Sequence, residues 1–294
     1  MRCYPDKAME AVAMALRHVI GLDHVVVSVR DLDAAAAAWR KLGFTVSPRG
    51  THSAHMGSGN YTMMFGEDYI ELLGVLTPTP HNAPMRAFLE TREGLERAAF
   101  TTDDAAAGAE ELRARGIAAI GPVHFGRPVT LPDGGQAEAR FNVFQWPVEE
   151  KPGGLRIFAC QHLTRENVWI PALQSHPNGA ARILRLEVLT ADPAGASAHM
   201  AMLLDRAAEQ ESDGAQRVPT GSGRADIVFL DRTMLAARHP GVTLEGLPAE
   251  GAAALVLGTH DAEATARSLG VAPGATLAVP ATAASGIMLR FLPM

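Results

Sequence analysis

The chain has 294 residues, of which 47% are hydrophobic, a share that excludes a largely disordered protein. The net charge of −6, the pI near 6.0 and the lack of any lysine- or arginine-rich block exclude an electrostatic surface for nucleic acid or an anionic membrane. The two cysteines, Cys3 and Cys160, lie far apart, which excludes a disulfide framework and favours a reducing cytoplasm. A small molecule is therefore the expected partner.

Residues 1–19 are predicted to be an N-terminal extension. Charged residues recur through this segment, so it lacks the apolar stretch of a signal peptide. No other segment approaches the ~18–20 uncharged apolar residues that cross a membrane. The extension is expected to be either an appended helix or a loose leader on a cytoplasmic protein without a membrane partner.

One phrase is repeated along the chain. GLDHVVVSVRD at 21–31 returns as GLERAAFTTDD at 94–104, with the glycine, the leucine, the acidic residue and the closing aspartate in register. In both copies a strand-like run is followed by apolar residues at helical spacing, which begin after Asp31 or Asp104 and end at a glycine. Each copy therefore predicts a strand followed by a helix.

Two further copies follow in the second half. ILRLEVLTADPAG at 183–195 and AALVLGTHDAEATARSLG at 253–270 repeat the strand, the aspartate and the helical pattern. Strand-like runs and turn signals follow the helical segments, so each quarter is predicted to contain a strand, a helix and about three strands. The prolines and the HPNG turn within 163–182 predict a linker between a domain at 20–162 and a second domain at 183–294.

Paired units of this kind resemble the vicinal oxygen chelate superfamily, in which two βαβββ modules build one cupped sheet around a site. The phrases GLDHVVVSVRDLDAAAAAWRKLGF, YIELLG, CQHLTRENVW and HPNGA resemble the glyoxalase-like domain family, whose members are mostly uncharacterised. The resemblance covers 20–182 well and reaches 183–294 only through the repeat. It implies an α+β fold of four modules, paired into two domains with cupped sheets.

Side-chain alternation selects the residues that face the first cup. The valines of the first strand belong on its helix-covered face, which leaves His24 in the cup. The same alternation in DYIELLGV directs Glu71 into the cup, where it can face His24. Each residue also has a purely structural alternative. His24 could be an ordinary hydrogen-bonded histidine of the sheet, and Glu71 could form a structural salt bridge with Arg97.

The resemblance also implies a metal-ligand pattern. Metal enzymes of the superfamily take a His or Gln from the first strand and a Glu from the last strand of each module, and His24 and Glu71 match the first pair. Arg97 and Phe158 stand at the places of the second pair. A divalent ion ~5 Å from a guanidinium is repelled by roughly 6–7 kcal/mol at an effective dielectric of ~20. Either an anion lies between them, or no metal binds there.

Other residues are candidates for contact with a ligand. Arg97 suits bidentate capture of a carboxylate or phosphate. His52 and Asn60 lie in a glycine-rich loop before a strand that enters the cup, and His162 ends the last strand of the domain. Trp169 lies on the linker, and we expect it near the opening of the cup together with the HPNG turn.

These expectations combine into one functional hypothesis with one alternative. A small anionic organic molecule is expected in the N-terminal cup, with Glu71 as general base or metal ligand and His24 as ligand or acid, in lyase, isomerase or dioxygenase chemistry. The alternative is a non-catalytic binding protein of the bleomycin-resistance type. A weakly bound divalent ion is possible as cofactor, and so is a homodimer. A nucleotide cofactor is not expected, because the sequence has no phosphate-binding motif.

The second domain is expected to be a degenerate copy without a metal pair. Arg185 and Ala254 stand at the positions that correspond to His24 in the third and fourth units. Neither residue offers a neutral nitrogen or a carboxylate oxygen to an ion. We therefore expect this domain to serve packing or to shape the first.

Overall fold

Two mixed sheets, one from each half of the chain, form the frame of the protein. The computed structural model describes residues 16–131, 133–272 and 274–294. Most of the N-terminal extension, residues 1–15, lies outside the described residues. Within the described ranges, no helix is long and apolar enough to cross a membrane.

The first sheet has eight strands in the order β2-β3-β4-β1-β5-β8-β7-β6. Its central strands β1 and β5 are antiparallel, so the two modules meet at the middle of the sheet. The elements are β1 (Gly21–Val29), α1 (Leu32–Lys41), β2 (Gly50–Thr51), β3 (Ser58–Met64), β4 (Tyr69–Val75), α2 (Ala83–Thr91), β5 (Gly94–Thr101), α3 (Ala105–Ala114), β6 (Ile120–Thr130), β7 (Gln136–Gln145) and β8 (Arg156–His162).

The second sheet has seven strands in the order β10-β11-β12-β9-β13-β15-β14. The predicted α+β fold of four modules is confirmed, although among the described residues the fourth module has two strands after its helix. The elements are β9 (Ala180–Leu189), α4 (Pro193–Leu204), β10 (Glu209–Gln210), β11 (Gln216–Val218), β12 (Asp226–Leu230), α5 (Arg232–Arg238), β13 (Gly251–Thr259), α6 (Ala262–Leu269), β14 (Ala278–Val279) and β15 (Met288–Pro293).

The aspartate that closes each repeated phrase caps the helix that follows. The side chains of Asp31, Asp104, Asp192 and Asp261 each accept a hydrogen bond from a backbone N–H in the first turn of α1, α3, α4 and α6. Such a cap satisfies a donor that has no partner within the helix. The helix starts predicted from the repeat are therefore confirmed.

The helix-covered faces of the two sheets share one apolar core. Val25, Val27 and Val29 of β1 and Leu255 and Leu257 of β13 belong to the same buried cluster. Two indole N–H groups bridge the halves, because Trp39 donates to Ser285 Oγ and Trp146 donates to the Leu203 carbonyl. The concave faces consequently point away from the shared core.

The helices α2 and α5 were not predicted, and they distinguish the two concave faces. Each joins the two modules of its sheet. α2 packs Met85 and Leu89 on Val26 and Leu73 and covers one end of the first concave face. α5 and the segment after it fill much of the second concave face with apolar side chains, among them Met234, Leu235, Val242, Leu244 and Leu247.

Candidate functional site

The acidic residue of the repeated phrase is the extra residue of a β-bulge in both copies. The register between β1 and β5 shifts at Asp23 and again at Glu96. A bulge changes the direction of the side chain that it carries. Strict alternation would direct both carboxylates away from His24 and Arg97, whereas the structure places each acid beside the basic residue that follows it.

Asp23 joins two histidines on the concave face. Its Oδ1 accepts from His24 Nδ1 at 2.6 Å and from His162 Nε2 at 3.0 Å, and its Oδ2 accepts from Thr101 Oγ1 at 2.8 Å. Burial raises the pKa of Asp23, but the charge and hydrogen bond of His162 and the hydrogen bond of His24 outweigh burial, and the pKa lies well below its usual range. Because an ionised carboxylate only accepts, the His24 Nδ1 carries a proton and the His24 Nε2 faces the other way.

His162 is the charged partner of Asp23. Burial lowers the pKa of His162, but the neighbouring Cys160 sulfur and the Asp23 carboxylate raise it by more, so the pKa lies well above its usual value. Its Nδ1 has no hydrogen-bond partner in the described part of the chain. His162 therefore acts on the site through Asp23.

Glu71 approaches the free side of His24. Glu71 Oε2 lies 3.8 Å from His24 Nε2, and Glu71 Oε1 accepts a 2.6 Å hydrogen bond from Asn60 Nδ2. The His24 ring stacks on Tyr69 with the centroids 4.2 Å apart. These contacts fix the imidazole and the carboxylate side by side, with Glu71 only 12% exposed.

Arg97 pairs with Glu96 and not with Glu71. Glu96 Oε2 lies 3.2 Å from Arg97 Nη2 and accepts from Ser28 Oγ at 2.9 Å, and Glu96 Oε1 accepts from Arg156 Nη1 at 2.8 Å. Burial raises the pKa of Glu96, but Arg97 and Arg156 lower it by more, so the net pKa is below its usual value. The Nε of Arg97 is buried without a hydrogen-bond partner among the described residues.

A cavity of about 570 Å³ lies on this face of the first sheet. Among the described residues that line the cavity, Glu71 is the one acidic side chain, whereas three are arginines. Burial lowers the pKa of His52 to about 4, so this imidazole is neutral at pH 7, with Nδ1 2.9 Å from Ser58 Oγ. Apolar side chains complete the wall, among them Val26, Leu73, Met85, Phe125, Phe141, Val143 and Phe158.

Arg127 of β6 is the third arginine of the cavity. Its guanidinium lies against Gly50, where a Cβ atom would meet Asn60 Oδ1 at 2.2 Å and Arg127 Nη1 at 2.9 Å. Burial lowers the pKa of Arg127, and the charge of Glu71 opposes that shift. Because Gly50 has no side chain, the Arg127 guanidinium fits beside the hydrogen-bonded pair of Asn60 and Glu71.

The sequence-predicted residues are brought together in part. His24, His52, Asn60, Glu71 and Arg97 all line the cavity. The register also brings Arg127 and Arg156, which sequence reasoning did not propose as ligand contacts, into the lining. Asp23 and Glu96 were not predicted as site residues, because strict alternation places them on the other face of the sheet. The one sign of their importance in the sequence is that both copies of the phrase have an acidic residue at this position.

Trp169 lies behind the cavity wall. Its ring is buried beside His162 and Tyr69, with centroids 4.8 and 5.4 Å away. It belongs to an apolar cluster on the concave side, with Val168 and Ile170. The HPNG turn lies elsewhere, since the His176 ring packs on Phe44 and Phe65 of the shared core.

The donor set does not fit a divalent ion with four protein ligands. His24 Nε2 and Glu71 Oε2 provide two donors, while Arg97 and Phe158 hold the places of a second pair. Donor atoms of Asp23, His24 and His162 also lie within 4.8 Å of one another, but they are joined by their own hydrogen bonds. The chemistry of the cavity is therefore that of charged and acid–base side chains.

A family model described as a glyoxalase-like domain matches residues 22–204, which is more than half of the chain. The chain belongs to the glyoxalase-like domain family. In each half of the chain, two modules meet through an antiparallel pair of central strands, β1 with β5 and β9 with β13. No curated protein matches the sequence.

Solved structures add a likeness of fold. A hypothetical protein from Staphylococcus aureus is 12% identical, with a TM-score of 0.70 over 93% of this chain and 99% of that one. Methylmalonyl-CoA epimerase from Mycobacterium tuberculosis is 20% identical, with a TM-score of 0.38 over 52% of this chain and 93% of the epimerase. A variant of the Streptomyces coelicolor epimerase in complex with 2-nitronate-propionyl-CoA is 19% identical, with a TM-score of 0.39 over 49% of this chain and 99% of that one. The two-domain likeness to the staphylococcal protein shows the fold alone.

Proposed function

We propose that the N-terminal cavity binds a small organic anion and that His24 and Glu71 carry out proton transfer on it. The observation that carries the proposal is the charge of the lining, in which three arginines face a cavity with Glu71 as the one acidic member of its described wall. A guanidinium in a partly desolvated site gains most from a carboxylate or phosphate.

The acid–base part of the proposal rests on the Asp23–His24–Glu71 chain of contacts. Asp23 fixes the His24 ring through Nδ1, which leaves Nε2 for exchange with Glu71 or with the ligand. Glu71 keeps carboxylate lone pairs towards the cavity while Asn60 holds one oxygen. A carboxylate beside an oriented imidazole is suited to removing a proton from carbon, which an isomerase then returns to carbon and a lyase follows with departure of a leaving group.

A non-catalytic binding function is the second candidate, and one observation favours it. Arg97 and Phe158 replace a pair that metal enzymes of the superfamily use, so this cavity offers more groups that hold an anion than groups that react with it. In that case the protein would sequester its ligand without changing it.

Binding is tested by calorimetric titration with phenylacetate and with its neutral counterpart 2-phenylethanol. We expect phenylacetate to bind and the alcohol to bind at least about tenfold more weakly. Arg97→Met should remove the preference for the anion. Its circular dichroism spectrum should match that of the parent, which would show that the fold is retained. Arg267→Met, at an exposed arginine of α6, is the control of equal charge change and should bind as the parent does. Equal affinity for acid and alcohol in the parent would refute the proposal.

Proton transfer is tested with phenylpyruvate in D₂O, by following loss of its C3 proton signal in NMR spectra. We expect the parent to accelerate exchange over buffer and Glu71→Gln to lose the acceleration while still binding phenylacetate. Binding without accelerated exchange of any carbon acid tried would favour the sequestering function.

A further inference from the structure

Two arginines of the cavity share a single carboxylate. Glu96 contacts Arg97 and Arg156 through different oxygens, and its side chain is only 4% exposed. Two guanidinium charges and one carboxylate sum to a single positive charge at this end of the site. Arg92 also feels the charge of Glu96, but it packs on Phe88 and donates to the Glu93 carbonyl, outside the cavity lining.

The strand register shows what lies next to this cluster. Glu71, Val26, Arg97 and Arg156 form one row across β4, β1, β5 and β8. With strands ~4.8 Å apart, the Cα atoms of Glu71 and Arg97 are about 10 Å apart. Beside a ligand anion on Arg97, Glu71 and Arg127 carry opposite charges and interact with each other, so together they offer no net positive charge to a second anionic group.

Two imidazoles of the lining, His52 and His81, feel the charge of Arg97, and burial lowers the pKa of both, so they are neutral at pH 7. Apolar side chains lie next to the row. Val26, Leu73 and Phe158 cluster next to this row, and Met85 of α2 packs over them. A second ionised group on the ligand would lie either against these side chains or beside the Glu71–Arg127 pair, which has no net charge. Desolvating a charge without a partner is strongly unfavourable in such a place.

We infer that Glu96 restricts the site to ligands with one negative charge, so that the substrate class is a monocarboxylic acid with an apolar body. This inference rests on the proposed function, because it assumes that an anion occupies the Arg97–Arg156 end. Phosphate monoesters and dicarboxylates are disfavoured by their second charge, which the cluster cannot neutralise. Glu96 is thereby a specificity-determining residue that acts on the ligand only through its two arginines.

The test compares phenylacetate with phenyl phosphate at pH 8, where the phosphate monoester is a dianion because its second pKa is ~6. We expect the parent to bind phenylacetate at least about tenfold more tightly, and Glu96→Gln to reverse that order because the cluster then carries two positive charges. Glu90→Gln, an exposed glutamate of α2, is the matched control and should keep the parent's preference.

A second variant keeps the inference testable if Glu96→Gln fails to fold. Arg156→Gln leaves one arginine with one carboxylate, so it should weaken binding of both anions by about tenfold or more. The double variant Glu96→Gln/Arg156→Gln returns the cluster to one positive charge and should restore the preference for phenylacetate. That restoration would not be seen if Glu96 acted only on the fold.

The possible outcomes separate the two proposals. If the parent binds phenyl phosphate as tightly as phenylacetate, the restriction to one charge is wrong while anion binding stands. If neither anion binds in preference to 2-phenylethanol, the proposed function fails and the inference fails with it. If Glu96→Gln folds and keeps the parent's order, Glu96 does not set the charge of the ligand.

Discussion

Asp23 and Glu96 hold the same position in two copies of one strand, and each buried carboxylate lies beside two basic side chains of the cup. Asp23 contacts His24 and His162, whereas Glu96 contacts Arg97 and Arg156. The shared β-bulge explains this, because it directs an otherwise misplaced acid onto the concave face. The first copy thus orders an acid–base group, and the second copy orders an anion-binding group.

We expect Asp23→Asn to lower the pKa of His162 and to destabilise the protein by about 3–5 kcal/mol, because it removes one partner from a buried ion pair. NMR titration of the histidine ring and urea unfolding are the measurements. Asp103→Asn is the control, since Asp103 also contacts a histidine, His18, but is 61% exposed, and it should change stability by less than about 1 kcal/mol. Similar effects of both variants would mean that burial does not determine the strength of the pair.

Asp68 should make stability depend on pH. This buried carboxyl accepts from the Ile183 N–H across the two halves, and burial raises its pKa from 3.8 to about 7. An acid whose folded pKa is raised holds its proton in the native state, so the native state binds more protons between pH ~4 and ~7. The free energy of unfolding should therefore fall as pH rises through this window, by up to about 1.4 kcal/mol per pH unit, and stay low above it.

Asp68→Asn isolates that contribution, because the amide oxygen can still accept from Ile183 without acquiring a charge. We expect the variant to be more stable than the parent above pH 7 and to match it near pH 4. Guanidinium unfolding at several pH values measures both profiles. Parallel profiles of parent and variant would contradict a raised pKa at Asp68.

Restoring the second ligand pair should create a metal site. Arg97 corresponds to His24 in the repeat, and the Phe158 ring lies 5.4 Å from the His24 ring. Arg97→His/Phe158→Glu would give two histidines and two glutamates, a donor set suited to zinc or manganese. We expect the variant to bind one divalent ion per chain by elemental analysis, while the parent purified without chelator holds no stoichiometric ion.

The control for that design is Arg97→Met/Phe158→Leu, which removes the charge and the ring without adding donors. This variant should take up no ion, so metal uptake can be assigned to the new donors and not to loss of repulsion alone. A stoichiometric ion in the parent, or a folded donor variant without an ion, would show that His24 and Glu71 are not placed to complete such a set.

The second domain should depend on a buried charge cluster of its own. Glu187 is fully buried and accepts from Arg185 Nε and His239 Nε2, each at 2.6 Å. We expect Glu187→Gln to lower the free energy of unfolding by about 3–5 kcal/mol, because the basic partners lose their counter-charge. Glu209→Gln, in an exposed pair with Arg217, should change it by less than about 1 kcal/mol in the same denaturant titration.

The sequence by itself determined the modules and the strand faces on which His24 and Glu71 lie. Four repeated phrases, each closed by an aspartate that caps a helix, define the order of strands and helices through local hydrogen bonding. Period-two alternation then placed His24 and Glu71 on the concave face, because a regular strand alternates its side chains. Both inferences need only neighbours along the chain.

Only the tertiary structure decided which charges meet. The bulges at Asp23 and Glu96 arise from the pairing of β1 with β5, and a pairing register is not written in either strand alone. Arg127 and Arg156 enter the site because distant strands align beside it, and α2 and α5 leave one concave face open and fill the other. The net charge of a site is a sum over such long-range neighbours, so the local pattern supplied Arg97 and only the fold added Arg127 and Arg156.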